Sequence, residues 1–392
     1  MRNTARIYVA AMAMFVLTIG PLAAMTEANV SRRSVVHYVV TDLGTLPGGA
    51  SSFGFDISDA GVVAGSSAVS GSFNQHAALW NGGQIKDLGT LGGPNSGAGG
   101  PNANLEAAVS SETALPDPLG EAFCGYGNQL QCLAAVWRNG ALTALPLLPG
   151  GNNSQTFGIN NRGQLIGFSE TGVNDPTCAT PFQVRRFLPV IWERSGGIRQ
   201  LSPLAGDTVA FGFGINDNGQ SVGGSGLCSN TVIPPFPGIA ASHAVMWDKD
   251  GAAVDLGNLG GGPNNNIATS INNRGDVTGT SPLPDGSIHA FLWTRNGGMS
   301  DLGTLPGDFV SVAPCCRTVN ESRQVVGFSI GETGPRAFLW QNGSMIDLND
   351  LAPGSPLYLL FAQAVNAGGQ ITGYGVTSTG ELHAFLATPV SD

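Results

Sequence analysis

Charge is scarce in this chain. Only 11% of its 392 residues are Asp, Glu, Lys or Arg, and Lys occurs only at positions 86 and 249. With 17 basic against 27 acidic residues and a pI near 4.9, the chain has the wrong sign for neutralising phosphates, so no nucleic-acid partner is expected. Beyond the first residues no helical apolar period of useful length occurs, which argues against helix bundles and helix-coated parallel sheets. No CxxC pair is present and no His lies near a Cys, so neither zinc nor any other metal or cofactor is expected. The 42% of apolar residues argue against disorder, and the 58 Gly suit short strands joined by tight turns.

What is present is a repeat. The word His289-Ala290-Phe291-Leu292-Trp293 recurs at 76–80, 133–137, 188–192, 243–247, 336–340 and 383–387, and all six Trp close it. A second word, Asp301-Leu302-Gly303-Thr304-Leu305, recurs at 42–46, 87–91, 255–259 and 347–351, with degraded versions at 144–148 and 200–204. A third places Gly seven residues after Asn or Ser: Ser58 and Gly65, Asn160 and Gly167, Asn216 and Gly223, Asn272 and Gly279, Asn320 and Gly327, Asn366 and Gly373. In the second copy, near Val109-Ser110, this word is blurred.

Seven units of about 45 to 57 residues point to a propeller or solenoid. Each unit holds four runs that read as strands, bounded by Gly, Asn and Pro. Asn272-Asn273-Arg274-Gly275 has the form of a tight turn with Gly in the left-handed region, joining strands one and two. The last copy lacks a fourth strand, whereas Val39 to Leu46 is a fourth strand with no third before it. Each end supplies what the other lacks. The expected fold is therefore all-β: a seven-bladed β-propeller of four-stranded antiparallel blades, closed by the N-terminal strand pairing with the last blade.

Residues 1–28 read as a signal peptide: Arg2 and Arg6 precede the apolar run from Ile7 to Ile19, and small residues follow at Ala23, Ala24 and Ala28. Residues 29–392 are then one propeller domain. The expected mature protein is secreted or periplasmic, without a membrane anchor, and monomeric. Export favours disulfides. Cys124 and Cys132 flank a short turn that a bridge could span, and Cys178 and Cys228 occupy the same loop of consecutive units. Cys315 and Cys316 are adjacent, and a vicinal disulfide competes there with free or intermolecularly paired thiols.

Most chemical signals are better explained by the repeat. Gly327-Phe328-Ser329-Ile330-Gly331 matches a serine-nucleophile pattern, yet no helix follows and Ser169 occupies the same place in another unit. His76, His243, His289 and His383 each open the Trp word, so each is expected to bond the Asp of the paired strand or a loop carbonyl. Asp42, Asp87, Asp255, Asp301 and Asp347 are repeat positions, and the nine Glu follow no pattern. No catalytic residue is assigned. An extracellular glycosidase or lyase with carboxylates gathered at the axis is the alternative to a non-catalytic protein.

Recognition belongs where the units differ. Tight turns within each hairpin share one face of the disc; the loops after strands two and four share the other and hold the variation. These include Ser169 to Arg186, Leu227 to Ser242 with Pro234-Pro235, and the Gly-rich stretch from Gly92 to Glu106. The polar tips Asn152, Asn153, Asp207, Asn264, Asn265 and Asp308 are the candidate ligand contacts. Over residues 36 to 387 the three ordered words resemble the HAF-repeat family of secreted bacterial proteins. That resemblance implies export and a repeat architecture. His is replaced by Leu133, Leu188 and Arg336 in three copies, which departs from the family word. The function expected is a binding or interaction scaffold for an extracellular protein or glycan.

Overall fold

In the computed structural model the described residues are 36–180, 182–233, 238–314, 316–390. The signal-peptide reading of residues 1–28, together with Pro234-Pro235 and Cys315, lies outside them. Seven four-stranded antiparallel sheets form a seven-bladed β-propeller. The fifth blade is typical: Ile267–Ile271, Val277–Pro282, Ile288–Thr294 and Gly298–Asp301, each strand pairing with the next. The inner strands of the other blades are Ser52–Ile57, Gly92–Pro101, Ser154–Ile159, Val209–Ile215, Val310–Val312 and Leu357–Val365. Outside the blades, a small ribbon pairs Val232–Ile233 with Gly238–Ile239, and the described helices are the single turns Cys228–Thr231 and Leu348–Leu351. No described helix is long and apolar enough to cross a membrane.

The seam is the expected one. His37–Asp42 pairs with Leu382–Val390 as the outer strand of the last blade. Asp42 lies opposite Phe385, as Asp301 lies opposite Phe291 and Asp347 opposite Phe338 within covalent hairpins. Backbone bonding is preserved too, with Leu43 N donating to Ala384 O as Leu302 N donates to Ala290 O. Tyr38 and Val40 bury themselves against Leu339, Leu348, Leu357 and Phe385. The chain ends thus meet by the same contacts that elsewhere follow from chain connectivity.

The apolar core is divided among the blade interfaces. One cluster joins Ala64, Leu79 and Leu88 of the first blade to Ala98, Val109 and Trp137 of the second, and others repeat the arrangement. Polar links accompany them. Leu46, Leu91, Leu148, Leu204, Leu259 and Leu305 each donate their backbone N–H to a buried Ser on strand two of the next blade. Ser329 is one of these acceptors and is fully buried, so the serine-nucleophile match is a scaffold position.

The Asn of the third word performs two tasks. In Asn272, Oδ1 accepts from Arg274 N and Asp276 N and so folds its own turn, while Nδ2 donates to Asn320 O of the next blade. The inter-blade link recurs from Asn102 to Asn160, Asn160 to Asn216, Asn216 to Asn272, Asn320 to Asn366 and Asn366 to Ser58. This corrects the reading of the second copy, which keeps the spacing through Asn102 and Val109. Its inner strand is the Gly-rich Gly92–Pro101, part of a stretch expected from its composition to be a variable loop. Gly99 lies so close to Phe157 O of the neighbouring blade that no side chain would fit.

Close approach also explains the partner Gly. At Gly65, Gly167, Gly223, Gly279, Gly327 and Gly373 a Cβ would collide with a carbonyl oxygen of the adjoining inner strand. The wider bulge between Ala98 and Pro101 accommodates Val109 at this position in the second blade.

Two outcomes test this account. Deleting residues 36–46 should collapse thermal stability, because it opens a sheet edge and exposes the last blade; an unchanged melting temperature refutes the seam. Gly279→Ala should cost about 3 kcal/mol in chemical denaturation, whereas Gly197→Ala, with open space around its Cβ, should cost little.

Candidate functional site

Three of the four His pair as expected. His76 lies 2.9 Å from Asp87, His289 2.9 Å from Asp301, and His383 2.9 Å from Asp42 across the seam. His243 instead takes Asp207 of the preceding crossover, at 3.0 Å. Arg336, which replaces His in the sixth unit, reaches both Asp347 at 3.2 Å and Asp308 at 2.8 Å. The longer guanidinium therefore retains the paired-strand contact and adds a crossover contact.

These bonds revise the candidate ligand contacts. Asp207 and Asp308 stand three residues after Leu204 and Leu305, and both carboxylates are largely buried in scaffold pairs; Asp207 also accepts from Ser225 Oγ. Asn153 is fully buried. Its Oδ1 accepts from Cys132 N, and its Nδ2 donates to Asp117 at 2.7 Å and Glu170 at 3.2 Å. The carbonyl of Asn152 accepts from Gln131, and Asn265 is half-buried in the left-handed region. Asn264 is exposed. Asn153, Asp207 and Asp308 turn inward because they satisfy backbone and side-chain partners where loops and strands of adjacent blades meet.

Around Asn153 those loops are welded together. Asp117 and Glu121 come from the second blade's long loop, Glu170 from the third blade's second strand, and Gln183 and Val184 from the third blade's long loop. Glu170 accepts from Asn152 N, Asn153 N and Gln183 Nε2, and Glu121 accepts from Val184 N. Burial pushes the Glu170 carboxyl up to about 9, reinforced by the adjoining Glu121 carboxyl, which burial also raises. One proton shared between the two carboxyls meets the charge problem.

Both expected disulfides extend this platform. Cys124–Cys132 closes a loop on the second blade, and Cys178–Cys228 ties the third blade's loop to the fourth, where Cys228 N also donates to Thr177 Oγ1. Cys316 is disulfide-bonded. Disulfides of this kind fit an extracellular or periplasmic protein.

The variable-loop face as a whole exposes apolar groups that the repeat pattern does not single out. Six of the ten large hydrophobic residues exposed among the described residues lie on the variable-loop face: Phe73, Leu115, Val173, Phe182, Phe309 and Tyr358. Phe73 is 98% exposed and Leu115 62%. They were legible as apolar residues inside polar loops, but only the fold shows that they share one face.

No protein-family model and no curated protein matches this chain. Among solved structures, a streptogramin B lyase structure aligns over 90% of this chain and 98% of its own, at 11% identity and a TM-score of 0.47. Pyrococcus horikoshii acylaminoacyl peptidase aligns over 90% of this chain at 9% identity and a TM-score of 0.51, and puromycin hydrolase over 87% at 13% and 0.50. This chain spans about half of those two proteins, 52% and 53% of their lengths. At such identities the likeness is one of fold.

The Glu121 and Glu170 pair sets a pH dependence. The folded protein holds a proton on Glu170 that the unfolded chain releases near pH 4.5, so this group's stabilising contribution is complete below that pH and is lost as pH rises towards about 9. Melting temperature should therefore fall between pH 5 and pH 9. Glu170→Gln should flatten that fall and raise the melting temperature at pH 8; a variant with the wild-type slope refutes the assignment.

Proposed function

We propose that this chain is an exported binding scaffold whose variable-loop face docks an extracellular protein. The observation that carries this reading is the exposure of Phe73, Leu115, Val173, Phe182, Phe309 and Tyr358, all at the variable-loop ends of their blades. Exposed apolar groups concentrated on one side of a sparsely charged molecule are the pattern of a docking surface. Aliphatic Leu115 and Val173 among the aromatic rings favour a protein over a glycan, since sugar rings stack on flat aromatic faces. The buried carboxyl cluster and the two disulfides hold the loops of blades two to four in place before binding, which lowers the ordering cost of association.

Protein and glycan arrays probed with the purified chain test the reading. Selective capture of extracellular proteins is expected, and the combined substitution Phe73→Ser, Leu115→Ser, Phe182→Ser and Phe309→Ser should weaken it by about a hundredfold or more with an unchanged melting temperature. Silence on the protein array, capture by glycans alone, or undiminished capture by the variant would overturn it.

A further inference from the structure

The face opposite the variable loops has its own feature at the axis. Ala384 N, Ala77 N and Ala134 N donate to Ser52, Ser96 and Ser154 on the following inner strands, and Ala290 N donates to Ser311. These serines are equivalent landmarks. From them to the turn position the distance is six residues in Ser52 to Ser58, Ser96 to Asn102 and Ser154 to Asn160, but nine in Ser311 to Asn320. Three additional residues thus separate the inner-strand Ser from the turn in the sixth blade. There the backbone turns through the left-handed region at Cys316, whose Sγ lies 3.8 Å from Phe157 O of the third blade. Arg317 follows, its carbonyl accepting from Val365 N of the seventh blade.

This insertion brings a guanidinium to the axis. Arg317 Nε lies 3.5 Å from Asp56 and its Nη1 3.9 Å from Asp59, both in the first blade. These are ion-pair distances, and the guanidinium forms no hydrogen bond with a described residue. Asp56 is buried, with its side chain 5% exposed. Its Oδ1 accepts from Ile57 N, whereas Oδ2 has no hydrogen-bond partner among the described residues. Burial pushes the Asp56 carboxyl up to about 6 against the pull of Arg317. Both groups line a polar cavity of about 100 Å³ with Asp59, Asp217 and Glu321. A single water needs about 10–15 Å³ by that measure, so the cavity has room for a small molecule.

The charge pattern selects the ligand. A small anion meets the carboxylates of Asp59, Asp217 and Glu321 beside Arg317, the one basic residue among the described residues of the lining. A metal ion or ammonium meets Arg317 between Asp56 and Asp59. A hydroxyl suits both, because it donates to a carboxylate and accepts from a guanidinium, and the gaps of 3.5 and 3.9 Å are too long for direct hydrogen bonds. We propose that this axial funnel binds a neutral pyranose sugar, with Arg317 donating to ring hydroxyls and Asp56 and Asp59 accepting from them. The site is independent of the protein-docking face.

Saturation-transfer NMR and calorimetry on the purified chain test this, with D-glucose, D-galactose, D-mannose, D-xylose, L-fucose and N-acetylglucosamine as probes. Sodium acetate, ammonium chloride and calcium chloride serve as charged controls. At least one sugar should bind at about 10 mM or below, and Arg317→Gln and Asp56→Asn should each weaken it about tenfold or more, while Phe73→Ser leaves it unchanged. The affinity should also vary with pH around 6 in the wild type and not in Asp56→Asn. Should Asp56→Asn fail to fold, Asp59→Asn, whose carboxylate is more exposed, tests the same contacts. Absence of binding by every sugar, equal binding by the variants, or binding of a charged control in place of sugar would overturn the proposal.

Discussion

Closure of the ring rests on one side chain used twice. An Asn amide has an acceptor and two donors on one rigid plane, so Asn272 can fold its own turn through Oδ1 and hold the next blade's turn through Nδ2. Six such links pass from blade to blade. Ser58 occupies the remaining position. Its hydroxyl accepts from Val62 N and folds the turn, but it has no amide with which to reach Asn102 O. A local requirement and a global one therefore fall on the same residue, which is why the spacing from Asn to Gly is the strictest in the chain.

The seam shows that these contacts do not require covalent continuity. Asp42 meets His383 and Phe385 as Asp301 meets His289 and Phe291, although one pair is joined through a turn and the other across the whole chain. Substitution within the repeat follows the same physics. Arg336 in place of His still pairs with Asp347 and, being longer, also reaches Asp308. His243 shows that the Asp partner can come from the crossover instead.

The two faces of the disc divide the available chemistry. On one, buried carboxyls and disulfides hold irregular loops whose apolar side chains remain outside. On the other, turns of one kind recur from blade to blade, and a three-residue insertion in the sixth blade brings Arg317 towards Asp56 and Asp59. The alternative of an axial enzyme asks for carboxylates gathered at the axis, and Asp56, Asp59, Asp217 and Glu321 line the axial cavity, where Arg317 pairs with the first two.

Periodicity determined the all-β class, the seven blades and the closing strand, because each follows from residues that recur at fixed intervals; the short turn between Cys124 and Cys132 and the shared loop position of Cys178 and Cys228 determined their pairing. The second copy was misread because Val109 replaces its Gly, and the missing signal, Asn102, lay in a Gly-rich stretch that resembles a loop. Only the tertiary structure decided that Asn153, Asp207 and Asp308 turn inward, that Phe73 and Phe182 share an exposed face, and that Arg317 meets Asp56. Those outcomes depend on which donors, acceptors and charges of different blades come within reach, and a one-dimensional spacing does not encode that proximity.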